Sequence, residues 1–295
     1  MASWRRLGFF SETREVDPSG ILERSTAVCP FDDGLVVGDA EGTCHVLGRT
    51  LQVRTTFPAH NGGVAQLVQP RGSSLVFSFG RELEGGIGKA YMRVWRVSPG
   101  GEPAATCVRH LRVFGTYAGP TSSSGTPATA SDPAITCCCV SDDLSQVAIG
   151  SRDGGVHLLR TTDLLRDRFL RFKPLISIST HLETPPDPVT GVHFCYASDG
   201  SRVPTELWVV TSATLLSVSG ATLRSEACCV LAEGGGAEKG CACVSDSGQI
   251  VLGRPEAIYL YGADERGPCF AFDGLKHALL WHGAPLPLPK GSGYT

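Results

Sequence analysis

Short apolar runs, each followed by glycine and a polar turn, recur along this chain. Residues 34–47 read GLVVGDAEGTCHVL and residues 146–159 read QVAIGSRDGGVHLL. Gly38 falls on Gly150, Gly42 on Gly154, His45 on His157 and Leu47 on Leu159. A β-branched run, a turn and an alternating strand predict a β-hairpin. Glu41-Gly42 and Asp153-Gly154 occupy the turns. A two-residue turn there needs positive φ at both central positions. Gly38 and Gly150 close the first strand, where the backbone is expected to bend or to approach a neighbour.

The pattern returns in QIVLGRPEAIYLYG (249–262), in ELWVVTSATLLSVSG (206–220), and in SLVFSFGRE (74–82) followed by KAYMRVWRVSPG (89–100) with a longer turn. An apolar strand ending Val-Ser-Asp precedes two of these hairpins, at 137–142 and 241–246. Leu35 and Leu75 lie 40 residues apart. A period of about 40 residues with four short strands suits propeller blades, which cover each sheet with the next. The predicted fold is all-β, a WD40-like β-propeller whose ring is incomplete, with about five to six blades. The propeller spans residues 1–277, and residues 278–295 form a divergent, disordered tail. The interval from Leu75 to Val147 is longer because it holds the Ser/Thr/Pro/Gly-rich segment 117–134, read as a disordered surface insertion. Helix signals are sparse. The best is TTDLLRDRFLRF (161–172), one or two turns or an irregular edge strand, whose Arg166, Asp167 and Arg168 read as a solvated cluster.

Composition narrows the function. The 26 basic and 29 acidic residues nearly cancel, leaving −3, which argues against nucleic acid or an anionic membrane as a main partner. No apolar run approaches a bilayer span, and the N-terminus turns polar after Phe10, too soon for a signal peptide. A cytosolic protein is expected. Its 12 cysteines include a run at 137–139 and pairs at 228–229 and 241/243, without the Cys-x2-Cys spacing of zinc sites, so they read as buried free thiols.

Catalytic motifs are missing. No Gly-x-Ser-x-Gly elbow and no His-Glu-x-x-His occurs. LEGGIGKA (83–90) departs from a phosphate loop at Leu83 and Ala90 and precedes a strand, so it reads as a glycine-rich hairpin loop. His45 and His157 share one repeat position and read as fillers of an equivalent structural slot. With His193 they would form a metal site only if the ring nitrogens converged around one ion. The expectation is no enzyme, no cofactor and no metal. The proline-rich end HGAPLPLPKGSGYT (282–295) reads as a disordered terminus rather than a polyproline ligand.

Several strings go beyond blade geometry: WRRLGFF (4–10), GDAEG (38–42), PVTGVHF (188–194), LWVVTS (207–212) and IYLYGADERGPCFAFDGLKH (258–277). Together they resemble the vacuolar protein sorting-associated protein 11 family, a class C subunit of the HOPS and CORVET tethering complexes. The resemblance runs from Trp4 to about His277 and breaks near Leu279. It implies an N-terminal propeller, followed in the family by an α-solenoid and a zinc-binding RING domain that do not follow here. A truncated product with an open ring, two exposed strand edges and poor solubility is expected on that basis. The implied function is non-catalytic scaffolding in vesicle tethering and endosome–lysosome fusion. The implied partners are the other class C subunits and, through the complex, Rab GTPases and SNAREs, with peripheral association to late endosomal and lysosomal membranes. The alternatives are a generic peptide-binding adaptor propeller and a non-functional truncated isoform. Asp264, Glu265, Arg266 and Phe270 are the candidate contact residues. The competing reading has Asp264 and Arg266 fixing an inter-blade turn while Phe270 and Phe272 pack in the core.

Overall fold

The computed structural model describes residues 20–32, 34–98, 103–115, 131–177, 187–196, 201–219, 228–233, 236–244, 249–254, 257–261 and 270–273. Among them are one 3-10 turn, Leu22–Arg24, and 20 strands in five four-stranded antiparallel sheets. Blade 1 contains β1 (Ser25–Phe31), β2 (Gly34–Asp39), β3 (Thr43–Leu47) and β4 (Val53–Pro58). Blade 2 contains β5 (Val64–Val68), β6 (Leu75–Glu84), β7 (Ile87–Val97) and β8 (Ala105–Arg112). Blade 3 contains β9 (Ile135–Val140), β10 (Gln146–Ser151), β11 (Gly155–Arg160) and β12 (Lys173–Ser177). Blade 4 contains β13 (Val189–Tyr196), β14 (Pro204–Thr211), β15 (Thr214–Ser219) and β16 (Cys228–Glu233). Blade 5 contains β17 (Ala242–Val244), β18 (Ile250–Gly253), β19 (Ala257–Tyr261) and β20 (Phe270–Asp273). Every sheet is a meander in chain order, and the first strands β1, β5, β9, β13 and β17 lie side by side. The sheets do not close into a ring among the described residues.

The core lies between consecutive blades. Alternate side chains of each second strand face opposite neighbours, because strand side chains have a period of two. In β10, Ala148 packs toward blade 4, while Val147 and Ile149 pack toward blade 2. In β14, Leu207 and Val209 face blade 3, whereas Trp208 and Val210 face blade 5. Second strands are therefore buried on both faces, which is why they read as continuous apolar runs such as LVV, VAI and LWVV.

The turns differ from the sequence expectation. Three residues, not two, separate β2 from β3 and β10 from β11, and only Gly42 (φ 93°) and Gly154 (φ 80°) are left-handed. This is a type I turn closed by a left-handed glycine. The Asp39 carboxylate accepts from the Glu41 and Thr43 amides, at 3.0 and 2.8 Å, and supplies the turn conformation that two positive φ values would otherwise have to provide. The two-residue turn lies in LEGGIGKA instead. Gly85 (φ 57°) and Gly86 (φ 81°) join strands that stay paired out to Glu84 and Ile87. The expected hairpin is there, but its longer turn is a two-residue turn on longer strands.

No helix forms at 161–172. Asp163 caps a single turn instead, its carboxylate accepting from the Leu165 and Arg166 amides and its carbonyl from the Asp167 amide at 2.9 Å, and Asp167 then takes the Phe169 amide that a continuing helix would bond to the Leu165 carbonyl. The expected insertion lies outside the described residues over 116–130, but its end is placed. Asp132 is buried, accepting from the Ala90 amide at 2.9 Å and pairing with Arg112 at 3.4 Å.

Candidate interaction surface and the contacts that hold it

The first strand of each of blades 1 to 4 carries one bulged residue: Thr26, Ala65, Thr136 and Thr190. A bulge re-aims a side chain out of the ladder. Here it sends the threonine hydroxyl into the next blade. Thr26 Oγ1 donates to the Val64 carbonyl (2.5 Å), Thr136 Oγ1 to Val189 (2.5 Å) and Thr190 Oγ1 to Ala237 (2.6 Å). Between blades 2 and 3, where the bulged residue is Ala65, Gln66 Nε2 donates to the Thr136 carbonyl at 3.1 Å.

The glycines of the opening repeat belong to these joints. A Cβ on Gly38 would lie 2.6 Å from Val64 Cγ1, and one on Gly150 would lie 2.5 Å from Val189 Cγ1. At the next joint the sizes reverse, with Val210 in the glycine position and Ala237 opposite, both in one core cluster.

Blade 2 contains a buried polar chain. Trp95 Nε1 donates to Ser78 Oγ at 2.9 Å, and Ser78 Oγ lies 2.9 Å from His60 Nε2. His60 Nδ1 lies 3.3 Å from Glu82 Oε1. With the His60 proton on Nδ1, Trp95 donates to Ser78, Ser78 to His60 and His60 to Glu82, and each group is satisfied. Burial pushes the His60 pKa down to about 4, with Glu82 opposing. Glu82 Oε1 also pairs with Arg93 at 2.8 Å and with His110 at 3.1 Å. A carboxylate so occupied is not a free base, and the arrangement holds the long β6–β7 hairpin in place.

The repeat histidines do not share partners. His45 Nε2 bonds Asp39 Oδ2 at 3.0 Å. Burial of Asp39 is outweighed by that bond and by the Thr43 and Glu41 amides, which hold its carboxyl below the usual range. His157 and Phe114 pack T-shaped, with ring centroids 4.8 Å apart, and burial lowers the His157 pKa. Burial pushes His193 down to about 4, and its Nε2 has no hydrogen-bond partner. Among the described residues no group of three or more His, Cys, Asp or Glu could hold a metal ion, so these three histidines do not form one. Cys29, Cys44, Cys107, Cys137, Cys138, Cys139, Cys195, Cys241 and Cys243 carry free thiols. Burial pushes Cys29 and Cys137 up to about 12, while Cys107 departs from the buried expectation by lying exposed.

Of the candidate contact residues, Asp264, Glu265 and Arg266 lie outside the described residues. Phe270 opens β20, with its backbone opposite Leu260. The exposed apolar residues nearest to forming a surface feature lie elsewhere, at Leu83 near the hairpin tip and at Leu165 and Phe169 between β11 and β12. Sequence reasoning took the Leu83 segment for a glycine-rich hairpin loop and the Phe169 segment for one or two helical turns or an irregular edge strand.

A family model described as PEP5/VPS11 N-terminal matches residues 4–288. The chain belongs to the PEP5/VPS11 family. The family match runs past Leu279, where the resemblance was expected to break. The Vps11 homolog of Homo sapiens is 33% identical over 270 residues, covering 88% of this chain and 25% of the relative. The Mus musculus homolog is 31% identical over 94% of this chain and 29% of its own, and the Dictyostelium discoideum homolog 25% identical over 95% and 27%. The chain thus spans about a quarter of the length of these PEP5/VPS11 relatives. Solved structures support the fold alone. The β-propeller domain of Myceliophteria thermophila Cps50 (Swd1) superposes with a TM-score of 0.54 at 14% identity, covering 80% of this chain and 64% of that one. The computationally designed Ika8 protein gives 0.52 at 17% identity, covering 85% and 62%. The PEP5/VPS11 family and the propeller fold are generally non-catalytic.

Proposed function

We propose that this chain is a non-catalytic scaffold in vesicle tethering and endosome–lysosome (vacuole) fusion, working with the other class C subunits of HOPS and CORVET at the membrane periphery. Membership of the PEP5/VPS11 family carries this reading. The geometry agrees with it. The buried polar groups of blade 2 are tied to one another. No described helix is long and apolar enough to cross a membrane, so recruitment through protein or surface contacts fits the chain. Rab GTPases and SNAREs would be met through the assembled complex, and no cofactor is needed for such a role.

The test is affinity capture of the tagged 295-residue chain from cells, followed by identification of retained proteins. Recovery of class C subunits with late endosomal markers is the expected result. Their absence under mild lysis, with the chain folded, would overturn the scaffold reading and leave a non-functional isoform. One dominant peptide motif without endosomal enrichment would instead favour a generic adaptor.

A further inference from the structure

The connection from β11 to β12 presents an aromatic side chain that its own scaffold leaves uncovered. Leu164 is buried between blades 2 and 3, and Leu170 and Phe172 pack against the same cluster. Arg109 of β8 clamps the segment from the neighbouring blade, donating Nε to the Leu164 carbonyl at 2.8 Å and Nη2 to the Leu165 carbonyl. Between these anchors Phe169 is 89% exposed and Leu165 is 37% exposed. A backbone tied at both ends, with inward places already filled by Leu164, Leu170 and Phe172, directs Phe169 outward.

The surroundings are cationic. Arg166, Arg168, Arg171 and Lys173 are all exposed. The two acidic residues are engaged within the loop itself. Asp163 accepts the Leu165 and Arg166 amides at 3.0 and 3.1 Å and lies 3.7 Å from the Arg166 guanidinium, and Asp167 accepts the Phe169 amide at 3.0 Å. Residues 160–173 carry five basic and two acidic side chains, a local +3 on a chain of net −3. A protruding aromatic ringed by cations matches an anionic bilayer interface, where cations sit among headgroups and the ring reaches the acyl boundary. A bilayer also needs no matching shape, which suits a convex tip with one large ring.

We propose that the β11–β12 loop seats on anionic lipid, with Phe169 as the inserted residue and Arg166, Arg168, Arg171 and Lys173 as its headgroup contacts. This goes beyond the scaffold reading and does not depend on it, since lipid binding by the isolated chain needs no partner subunit.

The full chain would be sedimented with phosphatidylcholine vesicles containing about a third phosphatidylserine, and with phosphatidylcholine alone. Binding that needs phosphatidylserine and weakens with salt is expected. Phe169→Ala weakens it about tenfold, the burial of one aromatic ring. Combined Arg166→Gln, Arg168→Gln and Arg171→Gln weakens it on the order of a hundredfold, about fivefold per cation. Neither change touches the core, and unchanged melting curves check this. Phe169→Trp should gain a blue-shifted emission on vesicles, quenched by brominated acyl chains. No binding to either vesicle, or binding that Phe169→Ala leaves unchanged, overturns the proposal. So does an indole emission from the Phe169→Trp variant that moves only with an acidic peptide, which would assign the loop to a protein partner.

Discussion

Gly150 lies so close to Val189 that a single added methyl carbon would sit 2.5 Å from Val189 Cγ1 and 2.6 Å from Cys137 Sγ. The glycine belongs to blade 3 and the valine to blade 4, so the absence of a side chain on one sheet sets how near the next can lie. Gly150→Ala is expected to separate the two blades and cost about 1–3 kcal/mol. Thermal melts check this. Pairing the change with Val189→Ala should recover part of the loss, as coupled neighbours do.

The threonine bridges should matter comparably. Thr136→Val keeps the shape of the side chain but leaves the Val189 carbonyl with only the weak Cys137 thiol, at 3.8 Å, as its cross-blade donor. A loss of about 1–3 kcal/mol is expected, measured by urea denaturation. Thr190→Val should behave alike toward Ala237.

Acid should weaken blade 2. His60 is held neutral, with its pKa down to about 4, whereas an unfolded histidine titrates near 6.5. The unfolded chain then binds more protons, so this stability is fully present above pH ~6.5 and drains away as pH falls toward 4. The gap corresponds to at most about 3 kcal/mol. Urea midpoints at pH 7 and 4.5, for the natural chain and His60→Gln, check this, and the variant should lose less on acidification.

Ser78→Ala would strand two groups at once. The Trp95 indole N–H and His60 Nε2 both lean on that hydroxyl. A cost near the upper part of the ~1–3 kcal/mol range is expected, with altered near-ultraviolet dichroism from Trp95. A mere loss of side-chain volume would leave the Trp95 signal unchanged.

The hairpins were legible because their information is local: LVVG and VAIG announce doubly buried strands, and the glycines mark close approach. The joints were half legible. Thr26, Thr136 and Thr190 each stand one residue before the position opposite Gly38, Gly150 or Val210, a regularity visible only once the bulges are known. The blade 2 chain was not legible at all. It links His60, Ser78, Glu82, Trp95 and His110, whose spacings follow no period. The 161–172 segment suggested one or two helical turns because Leu165, Phe169 and Phe172 fall at helical spacing, and Asp163 does cap one turn, but Asp167 takes the Phe169 amide proton that a second turn would need.

Each side-chain bridge of the first strands points the same way, with the donor on the earlier blade and the acceptor carbonyl on the later one. Such a seam has a direction, like hooks and eyes sewn along a hem. Any sector offering a hook on its trailing side and an eye on its leading side could be spliced in or exchanged without redrawing the rest. The architecture is thereby open to lengthening or shortening by whole cassettes.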